Sequence, residues 1–121
     1  MRLHALRGAT TVTSNDAESI LAATTELMEE VMERNALRPA DVVSCIFTAT
    51  EDLDAEFPAV AARRLGFEGV PLLCAREIPV PGSLPRVIRV LLHYYAAIDH
   101  TAQHVYLRDA RALRADLHAA Q

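Results

Sequence analysis

One segment constrains the fold more than any other: a long amphipathic stretch at residues 16–34. Ile20, Leu21, Leu27, Met28, Val31 and Met32 recur at helical spacing and form a broad apolar face. Glu26, Glu29, Glu30 and Glu33 lie largely outside it. Ser14 or Asn15 can cap the helix start, and Asp16 and Glu18 suit the positive end of its dipole. A face this wide has to be buried, and the flanking segments read as strands, so the helix is expected to pack on a sheet. No chemistry is assigned to it.

Residues 2–13 read as a strand containing the β-favouring run Thr10-Thr11-Val12-Thr13. Residues 42–49 and 70–78 read as short apolar strands, 86–97 as a long one, and 104–107 as a closing one. Pro58 starts a short helix that stops at Gly66. The order is β-α-β-α-β-β-β. The expected architecture is α+β, a mixed sheet carrying one long and one short helix. Residues 1–121 read as a single domain, without repeat or linker, whose tail from Arg108 is partly helical and polar.

The chain carries 12 basic and 16 acidic residues for a net charge of −4, and every cation is an arginine. This balance argues against non-specific nucleic-acid binding, which needs a basic face. Each cation is instead a planar fork suited to carboxylates. With no Trp and few other aromatics, the core falls to Leu, Val, Ile and Ala. Cys45 and Cys74 form no CxxC motif and point to a reducing compartment, the cytoplasm. Residues 1–7 have no uninterrupted apolar stretch and do not read as a signal peptide. The longest apolar region, residues 87–98, is broken by Arg89 and His93 and is too short to span a membrane.

GxSxG, P-loop, GxGxxG and HExxH motifs are absent. His100 and His104 have the i, i+4 spacing of a zinc pair. The turn signals near Asp99 oppose a helix there, and no third ligand is evident, so no metal site is expected. Cys45 reads as a small buried residue. Two features remain odd. Arg89 interrupts the strand-like run Val87-Ile88-Arg89-Val90-Leu91-Leu92, and Glu77 ends an apolar strand just before Ile78-Pro79. A buried guanidinium has to be paired, because losing its partner costs about 3–5 kcal/mol. The pattern leaves a structural ion pair and a functional site equally open. Arg7 also sits in a strand, whereas Arg63 taken alone reads as a solvated charge near a helix C-terminus.

Six segments in order resemble one family. They are Leu6-Arg7-Gly8-Ala9-Thr10-Thr11-Val12; Ala49-Thr50-Glu51-Asp52-Leu53 through Phe57-Pro58-Ala59; and Val70-Pro71-Leu72-Leu73-Cys74-Ala75-Arg76-Glu77. Ile88-Arg89-Val90, His104-Val105-Tyr106-Leu107 and Leu113-Arg114-Ala115-Asp116-Leu117 complete the set. Together they resemble the AroH-type chorismate mutases over nearly the whole chain. The resemblance implies a pseudo-α/β-barrel homotrimer with active sites between subunits. It also implies the pericyclic conversion of chorismate to prephenate, without metal or cofactor. Arg89 would face the breaking ether bond and a substrate carboxylate. Glu77 would orient Arg89 and accept from the ring hydroxyl. Arg7 and Tyr106 would hold carboxylate oxygens, and Cys74 would sit beside the ring hydroxyl. Phe57 and Leu113 would wall the pocket, Arg63 would close its mouth, Leu73 would contribute backbone, and Arg114 would join from the tail. Three positions depart from the family pattern: Val60 replaces an expected basic residue, Ala115 a proline, and Leu73 a hydroxyl residue.

Two other classes fit parts of this pattern. Small trimeric enamine and imine deaminases share a similar barrel and use an interface Arg. A non-catalytic trimer binding anionic aromatic precursors would also use Arg7, Arg89 and Tyr106.

Overall fold

A computed structural model describes residues 1–114. Residues 115–121, including the Ala115 departure and the end of the Leu113–Leu117 segment, lie outside the described residues. Strands β1 (Arg2–Thr11), β2 (Val42–Ala49), β3 (Leu72–Arg76), β4 (Val87–Ala96) and β5 (Val105–Tyr106) form one mixed sheet in the order β3-β2-β4-β1-β5. Helix α1 (Ala17–Arg34) links β1 to β2, and the short α2 (Ala59–Ala62) lies between β2 and β3. The element order is the one expected from the sequence. β4 lies between β1 and β2 and runs antiparallel to both, while β3 and β5 add parallel edges.

The period-2 alternation of the strands decides which side is covered. Leu6, Phe47, Ile88, Val90, Leu92, Tyr94 and Val105 point to one face and are buried with Ile20, Leu27, Met28 and Val31 of α1. Ala23 and Thr24 complete the buried stripe of α1, and Thr24 spends its hydroxyl on the carbonyl of Ile20. The opposite face carries Leu3, Arg7, Ile46, Thr48, Leu73, Arg89, Leu91 and Tyr95, which register across the sheet and remain half-buried or exposed. Gly8 marks a close approach of α1 to the sheet. A Cβ there would stand 3.0 Å from Val90 Cγ1 and 3.2 Å from Leu27 Cδ1.

Several local expectations are corrected. The cap of α1 is Asp16, not Ser14 or Asn15: its carboxylate accepts from the Ser19 amide at 2.8 Å. Ser14 hydrogen-bonds that carboxylate, and Asn15 turns to the next loop, accepting from the Asp54 and Ala55 amides. The strand expected at 70–78 is shorter, because Val70 closes a turn on Phe67 and the chain leaves the sheet after Arg76. After Ala62 the short helix widens into a π-type turn (Arg63–Phe67) that ends through Gly66 at φ 101°. Arg108–Arg111 form a 3-10 turn, and residues 112–114 continue as helix. Among the described residues no helix is long and apolar enough to cross a membrane.

Candidate active site

Strands β1, β4 and β5, with the segment that follows β3, bring four of the candidate side chains, Arg7, Arg89, Tyr106 and Glu77, into one region of the open face. Ala9 of β1 pairs with both Arg89 of β4 and Tyr106 of β5, and Arg7 lies two residues away on the same side. Arg89 pairs across to Thr48 of β2. Glu77 reaches this group because the chain has just left β3. Its amide donates to Ala49 O at 2.9 Å, and its carboxylate turns back over the sheet.

Arg89 Nε stands 3.1 Å from Glu77 Oε2, close enough for an ion pair. The approach is off the line a hydrogen bond needs, so this buried N–H lacks an aligned acceptor among the described residues. The same Oε2 accepts the Thr48 hydroxyl. A cleft of about 280 Å³ opens beside the pair, lined by Arg7, Gly8, Ala9, Ile46, Thr48, Glu77, Arg89, Val90, Leu91 and Tyr106. A second opening of about 490 Å³ shares Thr48, Glu77 and Arg89 and continues toward Ile78, Val80 and Leu84. Two arginines, a phenol and one buried unpaired donor above an apolar floor suit a small anionic ligand.

His104 braces the rim of this cleft. Its Nδ1 accepts the Arg7 amide at 3.0 Å, which requires that nitrogen to be unprotonated. Partial burial, followed by the charge of Arg7, lowers the His104 pKa. His100 plays a different part, since its Nε2 meets the Tyr94 hydroxyl at 2.8 Å and His4 packs against both rings. Burial raises the Tyr94 pKa.

The remaining candidates lie elsewhere on the chain. Cys74 pairs with Phe47 in register, so its side chain takes the helix-bearing side of the sheet. It lines a cleft of about 420 Å³ with Phe57, Pro58, Leu53 and Arg76. Cys74 and Glu77 stand three positions apart, and with the strand ending between them the two side chains serve different clefts. Phe57 is 65% exposed, a large apolar ring with one side in water. Leu73 lies on the open face beside Ile46. Arg63 is exposed at the C-terminus of α2, Leu113 is half-buried and Arg114 exposed. Burial, and secondarily Cys74, pushes the Cys45 thiol up to about 12, so it stays protonated and inert.

Sequence reasoning missed two residues at these clefts. Thr48 touches Glu77, yet 29 positions separate them and no local pattern links a strand threonine to a distant carboxylate. Arg76 lines both the Phe57 cleft and the opening of about 490 Å³ that shares Arg89. Its place at the end of a strand before Glu77 is visible in the sequence, but its double exposure is not.

The fold and site define a class first: a small mixed-sheet protein with an arginine-lined cleft for an anionic small molecule. Comparison with known proteins makes the class specific. The family described as "Chorismate mutase type I" matches residues 3–117. The chain is 50% identical to chorismate mutase AroH of Thermus thermophilus, covering 96% of this chain and 97% of that protein. It is 41% identical to chorismate mutase AroH of Bacillus subtilis, covering 97% and 94% respectively. A chorismate mutase structure from Clostridium thermocellum superposes with a TM-score of 0.86 at 47% identity, covering 90% of this chain and 98% of that one. The chain belongs to the chorismate mutase type I family.

Proposed function

We propose that this protein rearranges chorismate to prephenate, and that the Arg89–Glu77 pair with Arg7 and Tyr106 carries the reaction. The observation that supports it most directly is the cleft lined by Arg7, Glu77, Arg89 and Tyr106, at whose edge the buried Arg89 Nε–H has no aligned acceptor among the described residues. Such a donor is costly to leave unmet, and a ligand oxygen would satisfy it.

The reaction is an intramolecular exchange of bonds. The ether C–O bond of the enolpyruvyl group breaks as a C–C bond forms to the ring, and no proton, nucleophile or electron acceptor enters. Two contributions remain for the protein. The first is to hold a flexible dicarboxylate in a compact, chair-like shape. Arg7 and Tyr106 do this by gripping carboxylate oxygens. The second is to stabilise negative charge gathering on the ether oxygen as the bond stretches. A fixed guanidinium does so more strongly in the transition state than in the ground state. Arg89 has this role, while Glu77 aims it and accepts from the ring hydroxyl.

Cys74, Phe57 and Arg63 complete the pocket in this reading, with Leu73 through its backbone and Leu113 and Arg114 from the tail. They come from the neighbouring copy in a homotrimer wherever one chain's own geometry separates them from Arg89. The open sheet face supports association: Leu3, Leu73 and Tyr95 are 46%, 60% and 48% exposed on a surface that also carries Ile46 and Leu91. The three departures from the family pattern leave Arg89, Glu77, Arg7 and Tyr106 untouched. Residues 1–121 act as one domain, and two free cysteines accord with a cytoplasmic setting.

The test is to mix purified protein with chorismate, without added metal or cofactor, and follow loss of the diene absorbance with identification of prephenate. Conversion by the wild type and its loss in Arg89→Ala are expected. Retention of most kcat/KM by Arg89→Ala would remove Arg89 from the mechanism.

A further inference from the structure

We infer that Thr48 is a positioning residue for the rearrangement: its hydroxyl occupies Glu77 so that Arg89 keeps a donor free for substrate. The inference rests on the roles proposed above for Arg89 and Glu77.

Thr48 sits near the end of β2, directly across from Arg89 in register, with its side chain on the open face. Its hydroxyl donates to Glu77 Oε2, the same oxygen that lies 3.1 Å from Arg89 Nε. One acceptor thus faces two donors, and the hydroxyl holds the better line. An arginine and a carboxylate left to themselves close into aligned, charge-assisted hydrogen bonds. Here that closure is incomplete, since the Arg89 Nε–H is buried and has no aligned acceptor among the described residues. With Thr48 holding the carboxylate, Glu77 stays near enough to balance the guanidinium charge without consuming its donor.

Loss of the hydroxyl reverses this. Valine has nearly the shape of threonine but cannot donate, so Glu77 Oε2 would swing onto Arg89 Nε. The guanidinium would then have to break a good internal hydrogen bond before serving the ether oxygen, whose demand peaks in the transition state. Ground-state capture by Arg7 and Tyr106 would be largely untouched. The loss therefore belongs in kcat rather than KM.

The experiment compares wild type, Thr48→Val, Thr48→Ala and Thr48→Ser with chorismate, alongside Glu77→Gln and Arg89→Ala, recording thermal unfolding for each. Thr48→Val and Thr48→Ala are expected to lose about tenfold or more in kcat with KM within about twofold, corresponding to one charged-acceptor hydrogen bond. Thr48→Ser should recover to within about threefold of wild type, because it restores the donor. Wild-type kcat in the folded valine or alanine variant, or a serine variant as slow as valine, would overturn the inference. If Arg89→Ala and Glu77→Gln also keep wild-type kcat, the proposed site fails with it. If they lose activity while Thr48→Val does not, only the role of Thr48 fails.

Discussion

Arg89 is the residue on which the proposed chemistry turns, and its surroundings set how much a change should cost. It is a half-exposed guanidinium with one buried N–H, so its loss removes a charge aimed into the cleft without opening a core cavity. Arg89→Ala should lower kcat by about 100-fold or more while thermal unfolding stays near wild type. A parallel collapse of the folded state would instead make Arg89 structural. His104 gives a second prediction at this scale. Its pKa is depressed in the folded protein, so the neutral form is favoured and its contribution is present above the unfolded value of 6.5. As pH falls through 6.5 toward the lower folded value, that contribution is lost. The grip of residue 104 on the Arg7 amide should therefore weaken in mild acid. His104→Gln, which cannot titrate, should flatten the dependence of the unfolding midpoint on pH between about 7.5 and 5.5 relative to wild type. An identical pH dependence in both would exclude His104 as the cause.

Among the elements, the C-terminal segment reads in sequence as a polar tail from Arg108, yet its first turn is part of the body. Ala110 is fully buried, the Asp109 amide donates to Thr11 Oγ1 at 3.2 Å, and Arg108 pairs with Glu26. A truncation at Arg108 would thus expose core, whereas one after Arg111 removes Leu113 and Arg114 and spares that turn. The shorter truncation should raise KM more than it lowers kcat if those residues help hold substrate. No change in either constant would remove them from the site. Helix α1 offers a sharper test of packing. Gly8→Ala would drive a methyl to 3.0 Å from Val90 and 3.2 Å from Leu27, which a close-packed interface accommodates only by moving. A loss of about 1–3 kcal/mol in chemical denaturation is expected. Activity should fall too, since Gly8 joins Arg7 to Ala9 beneath the cleft.

At the scale of the whole molecule, one sheet face is paved by helices and the other is left open by the described residues, with apolar side chains among its charges. Sedimentation should report three copies, and Leu3→Glu should shift the population toward smaller species. A wild-type monomer that turns over chorismate fully would refute the two-chain pocket. The same asymmetry shows how far sequence reasoning reaches. The long helix, the five strands and their order along the chain follow from periodicity, because an amphipathic face repeats every few residues and needs no knowledge of its partner. Arg89 and Glu77 are conspicuous because charges inside apolar runs demand an explanation. Asp16 as the true cap is obscured by two equally good capping residues just before it. Thr48 is invisible, since a threonine in a strand is ordinary until a carboxylate from 29 positions away lands on it. What the amino-acid sequence determined by itself is the set of local elements and the family to which they belong, both written in short-range pattern and ordered motifs. What only the tertiary structure decided is which side chains share a cleft, that Cys74 and Glu77 part to opposite sides of β3, and that Arg89 keeps an unmet donor. Those outcomes depend on strand register and on where a strand ends, and no local spacing encodes either.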